Sequence, residues 1–192
     1  MLKFAATIWL TGIIFSVLHS FLSTNVIKKK CYAIGLSARF YRLSYVIIAL
    51  ATTTAWLFYI HQLPDTQLYN IEGFMRWGLY FTQLCGLIIF FLALKPIDVY
   101  AFLGLRKFTD NQEPFLEKGI YHQIRHPMYT GIMIIIFAMP SQSVNSIALF
   151  TFITVYFLIG SKFEERRMIA SHPVYKEYRI RVPAFFPRMT KH

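Results

Sequence analysis

Residues 76 to 95 read RWGLYFTQLCGLIIFFLALK, a run with a cation at each end and no charge between them. About 20 apolar residues is what an α-helix needs to cross the hydrocarbon layer of a bilayer. Inside that layer the backbone finds no water, so a crossing segment has to satisfy its own hydrogen bonds, as a helix does. The same kind of run recurs at 4–26 (FAATIWLTGIIFSVLHSFLSTNV), at 43–62 (LSYVIIALATTTAWLFYIHQ) and at 146–163 around IALFTFITVYFLIG. A shorter one occupies 128–140 and is broken by PSQSVNS. This pattern predicts an all-α integral membrane bundle of about five transmembrane helices forming a single domain over 1–192. The last two form a helical hairpin turning at Pro140 to Asn145, and residues 164–192 form a tail. The first arm of that hairpin is short, so a re-entrant pair is the alternative. Lys3 before the first apolar run resembles a signal peptide, but no small-x-small cleavage site follows and the run is long for one. A retained helix is expected.

Composition agrees. The chain is 56% hydrophobic and only 15% charged, with a mean hydropathy of +0.45, whereas soluble domains carry about 25% charge. A net charge of +11 would suit nucleic acid if it lined one soluble face. Here the cations interrupt apolar spans, so no nucleic-acid partner is expected, and anionic lipid headgroups at a basic membrane face are. Lys and Arg number five in 28–42, five in 95–127 and eight in 161–192, but none in 61–75 or 139–146. The positive-inside rule then puts the N-terminus outside and the C-terminus in the cytoplasm. The 95–127 loop and the tail meet on that cytoplasmic face. Cys31 and Cys85 match no metal or disulfide spacing and read as packing residues.

Two segments on that face carry chemistry. In GIYHQIRHPMYTG (119–131), Pro127 suits the first turn of a helix, and His126, before a proline, is pushed toward an extended backbone. Unpaired N–H groups at the helix start, together with the Arg125 fork, form an anion site. Simple contact with lipid headgroups explains Arg125 and His126 equally well. In SKFEERRMIASHPVYKEYRIRVPAFFP (161–187), Glu164 and Glu165 continue the last span. Adjacent helical residues diverge by about 100°, so one of them points into a shared cavity and the other pairs with Lys162, Arg166 or Arg167; an ordinary ion-paired helix end explains both glutamates as well. Ser171 and Pro173 read as the capped start of a short helix. On it Tyr175 and Tyr178 share a face, either packing together or covering a flat ligand ring. Lys176 and Arg179 suit anionic lipid.

The order of GIYHQIRHPMYTG, an apolar hairpin, Glu-Glu-Arg, Tyr-x-x-Tyr and VPAFFP resembles the isoprenylcysteine carboxyl methyltransferase and phospholipid methyltransferase superfamily, over residues 115–187. LHSFLS (18–23), YRLSYVIIAL (41–50) and DVYAFLGLRKF (98–108) are similar to its NnrU-like branch, which includes methanethiol S-methyltransferases. Ser171-His172-Pro173 stands where the family usually has Phe-Gly.

The resemblance implies a bacterial inner-membrane enzyme using S-adenosylmethionine, with a cytoplasmic pocket built from the 95–127 loop and the C-terminal tail. It places Tyr121, Arg125, His126, Pro127, Tyr129, Gly131 and Tyr175 around the cofactor, with Glu164 and Glu165 as an acidic pair. Glu165, Glu164, Arg125 and His19 are the catalytic candidates, and no metal is implied. His19 either assists the acceptor or packs between helices, His122 is either a ligand group or a solvated loop residue, and Arg106 faces either the pocket or lipid. His61 lies at the outer end of its span, apart in depth from His19. The acceptor is expected to be a small thiol or another small membrane-partitioned nucleophile. A prenylcysteine carboxylate or a phospholipid amine is the alternative, as is a non-enzymatic accessory protein or carrier.

Overall fold

The computed structural model describes residues 2–106 and 115–188. Its elements are α1 (Leu2–Leu22), α2 (Asn25–Ala33), α3 (Ala38–His61), β1 (Gln67–Asn70), α4 (Phe74–Leu94), α5 (Val99–Phe102), a 3-10 turn (Gly119–His122), α6 (Pro127–Phe137), β2 (Ser141–Ser143), α7 (Val144–Ser171) and α8 (Tyr175–Arg181). Among the described residues, α1, α3, α4 and α7 are long and apolar enough to cross a membrane. Their large apolar side chains stay uncovered, among them Leu10, Leu50, Phe58, Phe81 and Phe91. Such a surface belongs in lipid, since water tolerates only small apolar patches.

Local chemistry explains where the helices depart from the expected spans. The first apolar run stops at Leu22 and not at residue 26, because Thr24 takes up an extended backbone and its hydroxyl accepts from the Ile27 N–H, opening α2. Residues 28–33, which lie between the expected spans, are therefore helical. Ser37 caps α3 in the same way, accepting from the Phe40 N–H, so that helix starts at Ala38, five residues before the apolar run. At the other end α7 runs on through both glutamates to Ser171. Ser171 consequently closes a helix where it was expected to cap one, and its hydroxyl donates to the Arg167 carbonyl. The next helix begins at Tyr175 without a side-chain cap.

The chain forms two compact units. The first comprises, of the described residues, 2–66, 98–106 and 143–152. In it Phe152 packs edge-on against Trp9 and Trp56 at 5.5 and 5.6 Å, over Gly12, where any side chain would meet the ring. Trp56 Nε1 donates to Thr11 Oγ1 at 2.9 Å, and the Tyr41 hydroxyl donates to the Leu22 carbonyl. The second unit comprises 67–97, 115–142 and 153–188.

The second unit is organised by α4 and α6, which run antiparallel and touch backbone to backbone. A methyl group added at Gly131 would come within 2.7 Å of the Gly86 carbonyl oxygen, and one at Gly86 within 2.8 Å of the Gly131 oxygen. Small residues permit this close approach between helices in lipid. The arm expected as a span over 128–140 is an 11-residue helix, about 16 Å long and well short of a crossing. Ala138 to Pro140 continue it without helix, and the Pro140 carbonyl accepts from the Ile71 N–H at 2.8 Å. The freed carbonyls at the end of α6 are met by side chains: Gln83 Nε2 donates to Ile135 O at 3.0 Å and Gln142 Nε2 to Ile136 O at 3.2 Å. Non-helical backbone at membrane depth persists where protein groups satisfy it. β1 and β2 pair into a two-stranded sheet that the all-helical expectation did not include.

Gly131→Ala forces a methyl into the α4 backbone, so it is expected to cost about 1–3 kcal/mol of stability. Thermal unfolding in detergent measures this, and an unchanged midpoint would mean that the two helices do not meet there.

Candidate active site

Pro127 opens α6 at its first turn, where a missing N–H costs nothing. Before it, His126 has φ −122° and ψ 59°, outside the helical region but short of fully extended. The two preceding N–H groups are occupied: Arg125 N donates to Pro183 O and His126 N to Ala184 O, both at 2.9 Å. Thr130 Oγ1 donates to Phe185 O at 2.9 Å. The Val-Pro-Ala-Phe-Phe segment is thus laid along the start of α6.

Arg125 fixes the arrangement. Its Nε and Nη2 both donate to Glu165 Oε1, at 2.8 and 2.6 Å, and its Nη1 donates to the main-chain oxygens of Arg179, at 3.0 Å, and Val182. Both charged side chains are under a tenth exposed. The anion gripped by Arg125 is therefore a carboxylate of the protein itself.

His126 lies between the two glutamates, with Nε2 3.1 Å from Glu165 Oε1 and Nδ1 3.7 Å from Glu164 Oε2. Glu164 also accepts from the Tyr129 hydroxyl at 3.1 Å, in place of the expected Lys162, Arg166 or Arg167, and its side chain is 41% exposed. The rings form a stack. His126 lies parallel to Tyr129, and Tyr129 parallel to Phe157 at 4.5 Å. A half-exposed carboxylate beside aromatic faces is an environment for a cation.

The tyrosines serve the frame. Tyr121 donates to the Ala93 carbonyl at the end of α4, 3.3 Å away, and Tyr178 donates to Tyr121 O at 2.7 Å. Tyr175 and Tyr178 are buried with Val182 against Phe115, Met168 and Ile169, and Tyr175 also lies beside Arg125 and Glu165. Burial pushes the Tyr121 phenol up to about 12, helped by the Glu164 charge. Burial and then the Glu165 charge do the same to Tyr175. Both therefore remain protonated at neutral pH.

Arg125, His126, Tyr129, Glu164 and Glu165 thus meet in one cluster. Pro127 starts their helix, and Gly131 serves the contact with α4. His122 is exposed. His19 and Arg106 belong to the first unit. There His19 Nε2 lies 3.0 Å from Thr52 Oγ1 with its ring against Phe15, and Arg106 pairs with Asp98. Residues 107–114 of the expected pocket loop fall outside the described residues. Sequence reasoning missed Thr130, Phe157 and the tail carbonyls. Phe157 is one apolar residue in an apolar run, and a carbonyl partner has no residue signature at all.

A helical membrane protein with this polar centre has known relatives. The chain belongs to the NnrU protein family, whose profile matches residues 7–187. It is 27% identical to methanethiol S-methyltransferase 2 of Bradyrhizobium diazoefficiens over 92% of this chain and 70% of that protein. It is 26% identical to a methanethiol S-methyltransferase of Pseudomonas sp. over 74% of this chain and 58% of that protein. A Nurim homolog of Drosophila pseudoobscura is 25% identical over 80% of this chain and 65% of its own length. The chain thus spans roughly two thirds of the length of these relatives. No solved structure matches it.

Arg125→Met strands a buried carboxylate, and breaking one side of such a pair costs about 3–5 kcal/mol. Adding Glu165→Met to it should recover part of that loss. Denaturation midpoints of both single variants and the double variant in detergent measure the difference, and a double loss equal to the sum of the two single losses would show that the charges are not coupled.

Proposed function

We propose that this protein transfers a methyl group from S-adenosylmethionine to a small thiol at one membrane face. The methanethiol S-methyltransferase relatives support the reaction and the acceptor. The observation that carries the reading is the convergence of the Arg-His-Pro and Glu-Glu segments, with His126 set between both carboxylates.

The cofactor supplies a methyl group on a positively charged sulfur. The charge of Glu164 suits that sulfonium, and the Glu164 carboxylate is the accessible one of the pair. Arg125, with its donors spent on Glu165 and the tail, acts as a positioning residue. The first turn of α6 is left to meet the cofactor's carboxylate. Orientation and exclusion of water do the rest, since an in-line displacement needs no covalent protein nucleophile. With the cofactor bound, Glu164 would take the proton of the acceptor thiol. The methyl carbon would pass to the acceptor sulfur as its bond to the cofactor's sulfonium breaks, giving a neutral methyl thioether and the neutral demethylated cofactor. By the positive-inside rule the site faces the cytoplasm, with the N-terminus outside.

The match to a Nurim homolog, whose name carries no activity, favours a second reading as a non-catalytic membrane protein on the same scaffold. Titration calorimetry with S-adenosylmethionine and its demethylated product separates the two. The wild type should bind, and Glu164→Gln should bind at least tenfold more weakly, as expected on losing a charge-assisted contact, with an unchanged melting midpoint. Labelled methyl should appear on methanethiol in preference to a prenylcysteine or a phospholipid amine. Absence of any binding heat would sink the enzymatic reading.

A further inference from the structure

Glu164 and Glu165 leave α7 in directions about 100° apart. Glu164 points to Tyr129 and the aromatic stack. On the Glu165 side lies a cavity of about 430 Å³ lined by Arg125, Lys162, Glu165, Arg166 and Arg179. Arg125 and Glu165 neutralise each other at 2.6 Å, which leaves the lining with the charges of Lys162, Arg166 and Arg179. Arg179 Nε is 3.9 Å from Glu165 Oε2, a loose contact, and its side chain is half exposed. Lys162 and Arg166 are four residues apart on α7 and share a face, where like charges repel. Three cations from two helices converge on this space.

That lining has no attraction for a ligand that is itself a net cation, as S-adenosylmethionine is. It suits a phosphate-type anion, which two guanidinium forks and an ammonium hold well. The depth is also informative. Residues 144–161 carry no charge, and those 18 residues make about 27 Å of helix. Lys162 therefore emerges where hydrocarbon gives way to headgroups.

We propose that this cavity is a binding site for a phosphate-type anion, presented by an acidic lipid headgroup or by a soluble phosphate. Such an anion bridges Lys162 and Arg166 of α7 to Arg179 of α8. It thereby fastens from outside the same tail that Arg125 holds from within. The proposal does not depend on methyl transfer.

The test uses the full chain in phosphatidylcholine nanodiscs, with melting midpoints read as phosphatidylglycerol is titrated into the bilayer or inorganic phosphate into the buffer. The cavity variant is Lys162→Gln/Arg166→Gln. The control is Lys29→Gln/Lys30→Gln, which removes equal charge from exposed residues of α2 that do not line the cavity. Wild type and control should rise in midpoint, and the cavity variant should need at least tenfold more anion. Arg179→Gln gives a second route to the same readout should the double variant melt early in the neutral bilayer. A response to phosphatidylglycerol alone assigns the lipid source, and a response to inorganic phosphate as well assigns the soluble one; either supports the site. Equal responses from cavity variant and control, or no wild-type response to either anion, would overturn it.

Discussion

The second unit depends on one buried ion pair. Removing Arg125 and Glu165 from water carries a penalty of several kcal/mol per ion, which their mutual attraction offsets only when the remaining hydrogen-bonding capacity is also filled. Here it is filled. Arg125 spends its other donors on the Arg179 and Val182 carbonyls, and Glu165 shares its oxygen with His126. Those partners come from the segment before α6, the far end of α7 and the tail. The pair therefore works as a joint, and three stretches distant in sequence take their positions from it.

That joint also explains how adjacent glutamates come to differ. Glu165 is buried in the protein's own electrostatics, whereas Glu164 keeps an exposed face beside Tyr129. Under the proposed reaction the inner carboxylate builds the site and the outer one works in it. The cationic cavity on the other side of α7 gives the same helix a second polarity. A short length of α7 thus separates an acidic, aromatic environment from a basic one.

Much of this was legible in the sequence. Charge-free runs of hydrocarbon length announced α1, α3, α4 and α7, and the ordered motifs announced which residues would assemble. The less legible parts are those set by single contacts. Thr24 and Ser37 moved helix boundaries through one hydroxyl each. The packing of α6 on α4 turns on two glycines, which carry no hydrophobic signal. Arg125 read as a ligand for an outside anion because its partner, Glu165, lies 40 residues on and nothing local to either residue ties them together. The tail's contribution runs through carbonyl oxygens, which every residue has and which no sequence pattern displays.

The brevity of α6 has a consequence for biogenesis. Eleven residues present too little apolar length to hold a transbilayer orientation unaided. The segment gains its place by lying on α4, with Gln83 answering a carbonyl that lipid would leave bare. Translation delivers α4 first, so the earlier helix is available as a template when the shorter one leaves the ribosome. The place of α6 is thereby set by protein contact with α4 more than by its own apolar length.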